Sequence, residues 1–196
     1  MNHLVVFAHP RANSFNQRVR DSYLAGLYAG GHQVVLRDLY RMGFDPVFTD
    51  ADAQALRRGA PPPDIRAEMD HVTAADVITF ISPIWWISLP AILKGYVDRV
   101  FAYGFAYRHG ADGLVEGMLE GKKAVIFTSS GSTLEHFEKS GKLQAVRTAQ
   151  DLGTMEFCGI ELLRHVHFAP VGSRSDPETV DRWVEQAREL AETLFG

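Results

Sequence analysis

The first residues with a clear chemical use lie in segment 9–16, which reads His-Pro-Arg-Ala-Asn-Ser-Phe-Asn and leads into a helical pattern. The N-terminus of a helix offers unpaired N–H groups and the positive end of the helix dipole, and both favour a phosphate. Ser14 and Asn16 can add hydroxyl and amide contacts, while His9 and Arg11 can add positive charge. The segment has no glycine-rich phosphate motif, and taken alone it is explained slightly better as an ordinary helix cap.

Two adjacent tryptophans, Trp85 and Trp86, stand in segment 82–90 between Pro83 and Pro90. A loop that follows a buried strand normally faces solvent, so two indoles at this position indicate a flat apolar partner. The isoalloxazine ring of a flavin and a second subunit both meet that description. The alternative, in which the two indoles only cover the core, fits the position of the loop less well.

Segment 128–133, Thr-Ser-Ser-Gly-Ser-Thr, combines small hydroxyl side chains with one glycine. Such a loop lets backbone N–H groups come close to the polar edge of a ligand ring. A plain serine-rich loop describes the segment equally well, and its position after a predicted strand is what favours binding.

The remaining reactive residue types give weaker signals. His165 and His167 lie on one face of a predicted strand, where histidines at this spacing are more often packed or solvated than bound to metal. No carboxylate or cysteine pattern completes a metal site, and Cys158 is expected to pack as a small apolar residue. Glu135, His136 and Glu138 could hold a proton donor, although a polar loop after a binding turn would look the same. The sequence lacks the Gly-x-Ser-x-Gly motif of a serine nucleophile.

Short apolar runs predict the strands that must position the three loops. They cover residues 4–8, 33–39, 77–82, 123–128 and 160–168. Their continuous apolar character is typical of parallel strands that are buried on both faces. Five strands alternating with helices predict an α/β fold, a flavodoxin-like doubly wound parallel sheet of order 2-1-3-4-5 with helices on both faces. Ligands of such sheets bind beyond the carboxyl ends of the strands, where all three loops lie.

Helical spacing and cap residues predict the helices between these strands. Ser14 and Gln17 have the spacing of a capping box at the start of the first helix, which Gly30 and Gly31 end. Further helices are expected over residues 65–75, 90–101 and 176–194, the last of them capped by Asp176. Residues 40–65 are predicted to be an irregular excursion over the surface.

Length and composition indicate one globular domain that covers residues 1–196. A net charge of −4 gives no basic surface for a nucleic acid, so no such partner is expected. The single cysteine allows no internal disulfide, and the N-terminus reads as a strand and not as a signal peptide. No apolar run approaches the length of a membrane helix. We therefore expect a cytoplasmic protein that is not an integral membrane protein.

The three loops and several longer motifs resemble those of the flavodoxin-like NAD(P)H:quinone oxidoreductases, the family of the DT-diaphorase type and of the small bacterial quinone reductases. The similarity covers nearly the whole chain. Its most specific motifs lie at residues 8–10, 14–16, 83–101, 104–107 and 157–159. Within the longest of them stand Pro-Ala-Ile-Leu-Lys-Gly at 90–95 and Asp-Arg-Val-Phe at 98–101.

The resemblance implies a bound flavin, FAD with FMN as the alternative, and NADH or NADPH as the electron donor. It assigns the flavin phosphate to His9, Ser14, Phe15 and Asn16. It assigns the isoalloxazine ring to Pro83, Ile84, Trp85, Trp86 and Ile87, and the polar edge of that ring to Thr128, Ser129, Ser130 and Gly131. The family forms homodimers, so Tyr107 and Phe157 would close the pocket over the flavin of the partner subunit, and Trp86 would line the same substrate pocket.

The implied reaction is a ping-pong hydride transfer from the nicotinamide to a quinone or a similar aromatic acceptor. The chain departs from DT-diaphorase in having Ser130-Gly131 where that enzyme has two glycines. It also lacks the tyrosine and histidine that assist hydride transfer there, and His136 is the substitute that the sequence offers as a catalytic residue.

Two other functions stay open. Relatives act as regulatory flavoprotein subunits of membrane potassium-efflux systems, and co-purification with a membrane partner would favour that role. A flavodoxin-type electron carrier usually has a strongly acidic face, which a net charge of −4 barely supplies.

Overall fold

A five-stranded parallel sheet forms the centre of the structure, a computed structural model that describes residues 1–173 and 175–196. Its strands are β1 (Asn2–Phe7), β2 (Gln33–Asp38), β3 (Val77–Pro83), β6 (Lys123–Ser129) and β7 (Glu161–Phe168). Two further strands, β4 (Tyr107–His109) and β5 (Val115–Gly117), form a separate antiparallel hairpin. The order of the main sheet is β2-β1-β3-β6-β7, which confirms the predicted order 2-1-3-4-5 once the hairpin strands are set aside.

Helices cover both faces of the sheet, as the sequence predicts. They are α1 (Phe15–Ala29), α2 (Leu39–Met42), α3 (Asp50–Arg57), α4 (Pro63–Ala74), α5 (Ala91–Val100), α6 (Leu134–Lys139), α7 (Lys142–Arg147) and α8 (Pro177–Phe195). A π-helix (Thr148–Met155) and a 3-10 turn (Glu156–Cys158) lead into β7. Among the described residues, no helix is both long and apolar enough to cross a membrane.

Alternate residues of β1 enter two separate apolar layers. Val5 and Phe7 of β1 contribute to the layer under α1 and α8, whereas Leu4 and Val6 contribute to the layer under α4 and α5. A strand buried on both faces must be apolar at every position, which explains its uninterrupted apolar run in the sequence.

The caps of the first and last helices form where the sequence places them. The Ser14 hydroxyl accepts from the N–H of Gln17 at 3.2 Å, and the Asp176 carboxylate accepts from the N–H of Thr179 at 3.0 Å. The amide oxygen of Gln17 accepts from the N–H of Asn13, one residue before the cap. Both helices therefore begin at positions that a side chain fixes.

The irregular excursion predicted for residues 40–65 is wrong, because α2, α3 and the start of α4 lie within it. α3 has a complete capping box, in which Thr49 and Asp52 each accept the backbone N–H of the other at 3.1 and 2.9 Å. Buried Arg99 of α5 binds the carboxylates of Asp52 and Asp64. Contacts with a distant helix, which the local sequence cannot reveal, thus hold this region in helical form.

Residues 135–138, for which the sequence leaves a polar loop open, form most of α6. The hydroxyl of Thr133 caps the helix by accepting from the N–H of His136 at 3.3 Å. Phe137 is buried and packs with Ile84 in a small apolar cluster. One buried aromatic residue anchors a helix that is otherwise exposed, so no apolar repeat marks it in the sequence.

Candidate functional site

The three predicted loops meet at the carboxyl ends of β1, β3 and β6. The Ser129 hydroxyl donates to the side-chain oxygen of Asn16 at 2.9 Å, which joins the third loop to the first. The N–H of Ile84 donates to the carbonyl oxygen of Ser129 at 2.7 Å, which joins the second loop to the third. The rings of His9 and Trp85 lie 6.3 Å apart, between the first loop and the second. The junction therefore stands at the usual ligand position of this sheet type.

The first loop places two arginines beside the N-terminus of α1. Arg11 and Arg18 line a depression of about 450 Å³, and Ser14, Phe15 and Val180 also line it. A helix terminus attracts anions through its dipole, and guanidinium groups bind phosphate oxygens by charge-assisted hydrogen bonds. Arg18 shares its charge with Asp181, with which it forms an ion pair at 2.5 Å, so Arg11 and the helix terminus supply most of the attraction for a phosphate or a diphosphate. Arg18 was missed as a site residue because it lies one turn inside the helix.

His9 is partly buried in the same loop, and its Nδ1 accepts from the N–H of Arg11 at 3.1 Å. Burial lowers the pKa of His9, and the charge of Arg11 lowers it further, whereas the contact of Nδ1 with the carbonyl oxygen of Arg11, at 3.3 Å, opposes the shift. A neutral imidazole that accepts at Nδ1 carries its proton on Nε2. His9 therefore offers a ligand a hydrogen bond more readily than a positive charge.

Trp86 and Ile87 form the tip of a tight turn in the second loop. Trp85 and Ser88 exchange both backbone hydrogen bonds across it, each at 3.0 Å. Trp86 has a φ of 52° and Ile87 a φ of 60°, where large and β-branched side chains are rare. Each such residue costs on the order of 1–3 kcal/mol. The side chain of Trp86 is 99% exposed, so burial within the chain does not offset this strain.

The third loop turns its hydroxyl groups inward. Thr128, Ser129 and Ser130 are buried, whereas Gly131 is exposed. The hydroxyl of Ser130 lies 3.0 Å from Nε2 of His167 on β7. These hydroxyl groups hold the loop in place through hydrogen bonds to the protein interior. The exposed backbone around Gly131 is therefore the part of the loop that can face a ligand.

The structure brings residues of β7 to the site that the sequence analysis assigned to packing or to solvent. His165 and His167 both contact the Thr128 hydroxyl, at 2.9 and 2.8 Å. Asp151 of the π-helix contacts His165 and was not recognised at all. The one signal in the sequence was the His-x-His spacing at the carboxyl end of a predicted strand.

Tyr107 and Phe157 come together in a different part of the chain. Their ring centroids lie 4.9 Å apart, and both rings line a cavity of about 400 Å³ with Phe48 and Tyr103. Trp86 is not among the residues that line this cavity. Within one subunit, the residues predicted for the substrate pocket therefore form two separate groups.

His136 lies on the exposed side of α6. Its Nε2 is 2.9 Å from the ammonium group of Lys142. Its described contacts connect it neither to Ser130 nor to the turn at Trp86. The catalytic role of His136 stays a prediction.

Relatives of known family match almost the whole chain. The profile of a family described as having the flavodoxin-like fold matches residues 1–191. A Haemophilus influenzae protein named as an uncharacterized NAD(P)H oxidoreductase is 37% identical over 162 residues, which are 82% of this chain and 80% of that protein. Human ribosyldihydronicotinamide dehydrogenase (quinone) is 33% identical over 189 residues, 85% of this chain and 81% of that enzyme. The chain belongs to the flavodoxin-like NAD(P)H:quinone oxidoreductase family.

A solved structure of this oxidoreductase family has the same fold throughout. The NAD(P)H:quinone oxidoreductase of Methanothermobacter marburgensis superimposes with a TM-score of 0.90 at 29% identity, covering 99% of this chain and 98% of that one.

Several oxidoreductase motifs have structural roles in this chain. A side chain at Gly95 would place its Cβ 2.2 Å from the carbonyl oxygen of Pro46, so only glycine lets α5 cross that segment. Arg99 is buried in its ion pair with Asp52. Gly159 has a φ of 80°, which ends the 3-10 turn before β7. These motif residues shape the scaffold and do not line the loop junction.

The residues at the loop junction fit a flavin nucleotide. The two arginines and the N-terminus of α1 suit its phosphate, and the exposed indole of Trp86 suits its ring system. The hydroxyl of Ser82, at the end of β3, is buried and lacks a hydrogen-bond partner among the described residues. A ligand or a water molecule can supply that partner.

Proposed function

We propose that the chain is a flavin-dependent oxidoreductase that passes two electrons from NADH or NADPH to a quinone or a similar aromatic acceptor. The observation that carries the proposal is the strained turn with its fully exposed Trp86, in the loop beside the one that begins α1. The turn suits a flat apolar ring and the helix terminus suits a phosphate. A flavin nucleotide contains such a ring and such a phosphate. When bound, the flavin supplies the electron-transfer chemistry, while the chain binds it, orients it and excludes water.

The proposed binding roles follow the three loops. His9, Ser14, Phe15 and Asn16 hold the phosphate, with Arg11 and Arg18 adding charge. Pro83, Ile84, Trp85, Trp86 and Ile87 lie along the ring, and Thr128, Ser129, Ser130 and Gly131 form the wall at its polar edge. We take FAD as the cofactor, since the depression beside α1 has room and charge for a diphosphate, with FMN as the alternative.

Donor and acceptor use the same surface in turn, which makes the proposed kinetics ping-pong. Trp86, Tyr107 and Phe157 are the residues predicted to line one substrate pocket, and a nicotinamide and a quinone ring are both flat enough to occupy it. The nicotinamide must therefore leave before the acceptor can enter.

We infer that the active form is a homodimer in which Tyr107 and Phe157 close the site of the partner subunit. Phe48, Tyr103 and Phe157 are exposed large apolar side chains around one cavity. Exposed apolar side chains grouped in this way are typical of an interface between proteins. A second subunit would also unite the two groups of substrate-pocket residues that one subunit holds apart.

The first test is an absorbance spectrum of the purified protein, followed by heat release and chromatography of the chromophore. We expect flavin bands at near-stoichiometric occupancy, and the released compound decides between FAD and FMN. Ser14→Ala combined with Asn16→Ala should lose most of the flavin, because it removes the helix cap and the bond to the third loop. Ser22→Ala, on the same helix away from its N-terminus, is the matched control.

A colourless protein that binds neither added FAD nor added FMN would overturn the proposed function. Full flavin occupancy in the double variant would overturn only the phosphate-binding role of the first loop.

A further inference from the structure

Two cavities adjoin each other beside α3. The first, here called the aromatic cavity, has a volume of about 400 Å³ and contains Tyr107 and Phe157. The second, here called the arginine cavity, has a volume of about 480 Å³ and is lined by the end of α3 and the first half of α4. Leu56, Arg57 and Tyr103 line both of them. A molecule longer than a single ring can therefore extend from the aromatic cavity into the arginine cavity.

The arginine cavity combines two guanidinium groups with an apolar wall. Arg57 stands in the last turn of α3 and Arg66 in the first turn of α4, and both side chains are exposed. Pro61, Met69 and Phe105 supply the apolar wall, and none of the described residues that line the cavity is acidic. Guanidinium groups bind phosphate oxygens, and an apolar wall suits a flat ring. The cavity is therefore suited to a nucleotide.

The charges of Arg57 and Arg66 are not neutralised by the protein. Neither side chain forms an ion pair within the described part of the chain. Asp64, in the same helical turn as Arg66, binds Arg99 instead. A cation in the first turn of a helix opposes the helix dipole, so the stability of α4 does not account for Arg66. Both arginines are available to an anion, although the whole chain carries a net charge of −4.

The aromatic cavity is the part of the chain that we assign to the closure of the partner subunit's site. The nicotinamide must reach the flavin there, so its ring lies against Tyr107 and Phe157. Lys94 and Asp98 on the cavity wall pair with each other, which leaves Arg57 to attract an anion at its edge. One ribose joins the nicotinamide to the diphosphate, so the diphosphate of a donor bound in this way comes to lie beside Arg57.

We propose that Arg57 and Arg66 bind the phosphates of the nicotinamide donor, an inference that rests on the proposed function and its homodimer. Arg57, which lines both cavities, binds the diphosphate. The adenosine extends into the arginine cavity, where Pro61 and Phe105 contact the adenine and Arg66 binds the phosphate on the adenosine ribose. NADPH carries this 2′-phosphate and NADH does not. The chain should therefore use NADPH in preference to NADH.

The segment between the two arginines keeps them at fixed positions. Residues 59–63 read Gly-Ala-Pro-Pro-Pro, and the last of them is the first residue of α4. Proline fixes its own φ and favours an extended backbone, so the segment has few conformations to lose when a ligand binds. A site that is ordered before binding loses less free energy to ordering. The planar guanidinium groups can also bind two phosphate oxygens each.

Donor kinetics of two single variants test the proposal. The value of kcat/KM is measured with a benzoquinone as acceptor for NADPH, NADH and 1-methyl-1,4-dihydronicotinamide, a donor without phosphate. We expect Arg66→Gln to lower the value for NADPH by roughly 10-fold, the usual effect of one lost charge-assisted hydrogen bond, and to spare NADH. Arg57→Gln should lower the values for NADPH and NADH by a similar factor. Neither variant should change the value for the donor without phosphate.

Arg58→Gln is the matched control, because Arg58 is an exposed neighbour with the same charge that lines neither cavity. It should keep the wild-type values with all three donors. An equal effect of R66Q on NADPH and NADH, or a wild type without preference for NADPH, would overturn the proposal. An unchanged R57Q, or a similar loss with the donor that has no phosphate, would also overturn it.

Calorimetric titration of the purified protein gives a readout that needs no turnover. We expect adenosine 2′,5′-bisphosphate to bind more tightly than 5′-AMP, which lacks the 2′-phosphate, and R66Q to remove the difference. Equal binding of both nucleotides to the wild type, with quinone reduction intact, would refute the role of the arginines alone. A wild type that reduces benzoquinone with none of the three donors would refute the proposed function, and this proposal with it.

Discussion

At the scale of single residues, His3 is the most unusual side chain outside the functional site. It is buried in β1, and within the described part of the chain neither of its ring nitrogens has a hydrogen-bond partner. The rings of His32 and Phe195 lie 4.9 and 4.7 Å from it. Burial, followed by the charges of His32 and the N-terminus, lowers the pKa of His3 to about 4 although Asp76 opposes the shift.

The lowered pKa of His3 predicts a loss of stability in mild acid. The unfolded chain binds this proton near pH 6.5 and the folded protein only near pH 4, so the unfolded state holds more protons between these values. The free energy of unfolding should therefore decrease by about 3 kcal/mol for this group as the pH falls through that range. His3→Leu should flatten the decrease, as measured by urea denaturation at several pH values. His71→Gln should keep the wild-type dependence, and an unchanged dependence in H3L would contradict the assignment.

At the scale of elements, the crossing of α5 over the segment before α3 depends on Gly95. Alanine normally stabilises a helix interior by about 1 kcal/mol relative to glycine. At Gly95 we expect the opposite sign, a loss of about 1–3 kcal/mol in the free energy of unfolding, because the new Cβ would meet Pro46 at 2.2 Å. Thermal or urea denaturation measures the change. Gly172→Ala is the control, since no atom lies within 4 Å of its added Cβ. If G95A were more stable than the wild type, the segment around Pro46 would have moved to make room for the new Cβ, which would contradict the prediction.

The main elements could be predicted because their sequence patterns are local. The run 77–82 was predicted as a strand and forms Val77–Pro83, since a strand buried on both faces is apolar throughout. Helix α3 was missed because its capping box is short and Arg99, which holds it in place, lies more than forty residues further along the chain. The hairpin of β4 and β5 has only three residues in each strand, too few for a periodic pattern.

The site could be predicted only as far as its loops. The hydrogen bonds of His165 and His167 to Thr128 depend on the register between β6 and β7, which shifts at an irregularity between Ala124 and Val125. This shift sets His167 opposite Thr128 and His165 opposite Ile126. A slip of one residue would turn both histidines to the other face of the sheet. The sequence shows these three residues, but the register that joins them is a property of the folded sheet.

At the scale of the whole molecule, the proposed dimer makes a direct prediction about mass and turnover. Phe157→Glu places a charge in the exposed apolar group, so we expect a monomer in analytical ultracentrifugation and loss of most quinone turnover. The wild type should sediment as twice the subunit mass of 21.8 kDa. Tyr28→Glu on α1, also an exposed aromatic residue, should leave the dimer intact. A monomeric wild type, or a dimeric F157E, would rule out this interface.

The turn at Trp86 also bears on how the protein can evolve. An Asn-Gly pair would suit the positive φ values of residues 86 and 87 far better than Trp-Ile does. Selection for heat resistance alone would therefore find stabilising replacements at these two positions early. Those replacements would remove the indole that we assign to the ligand. Stability gained at residues 86 and 87 should therefore be accompanied by a loss of activity.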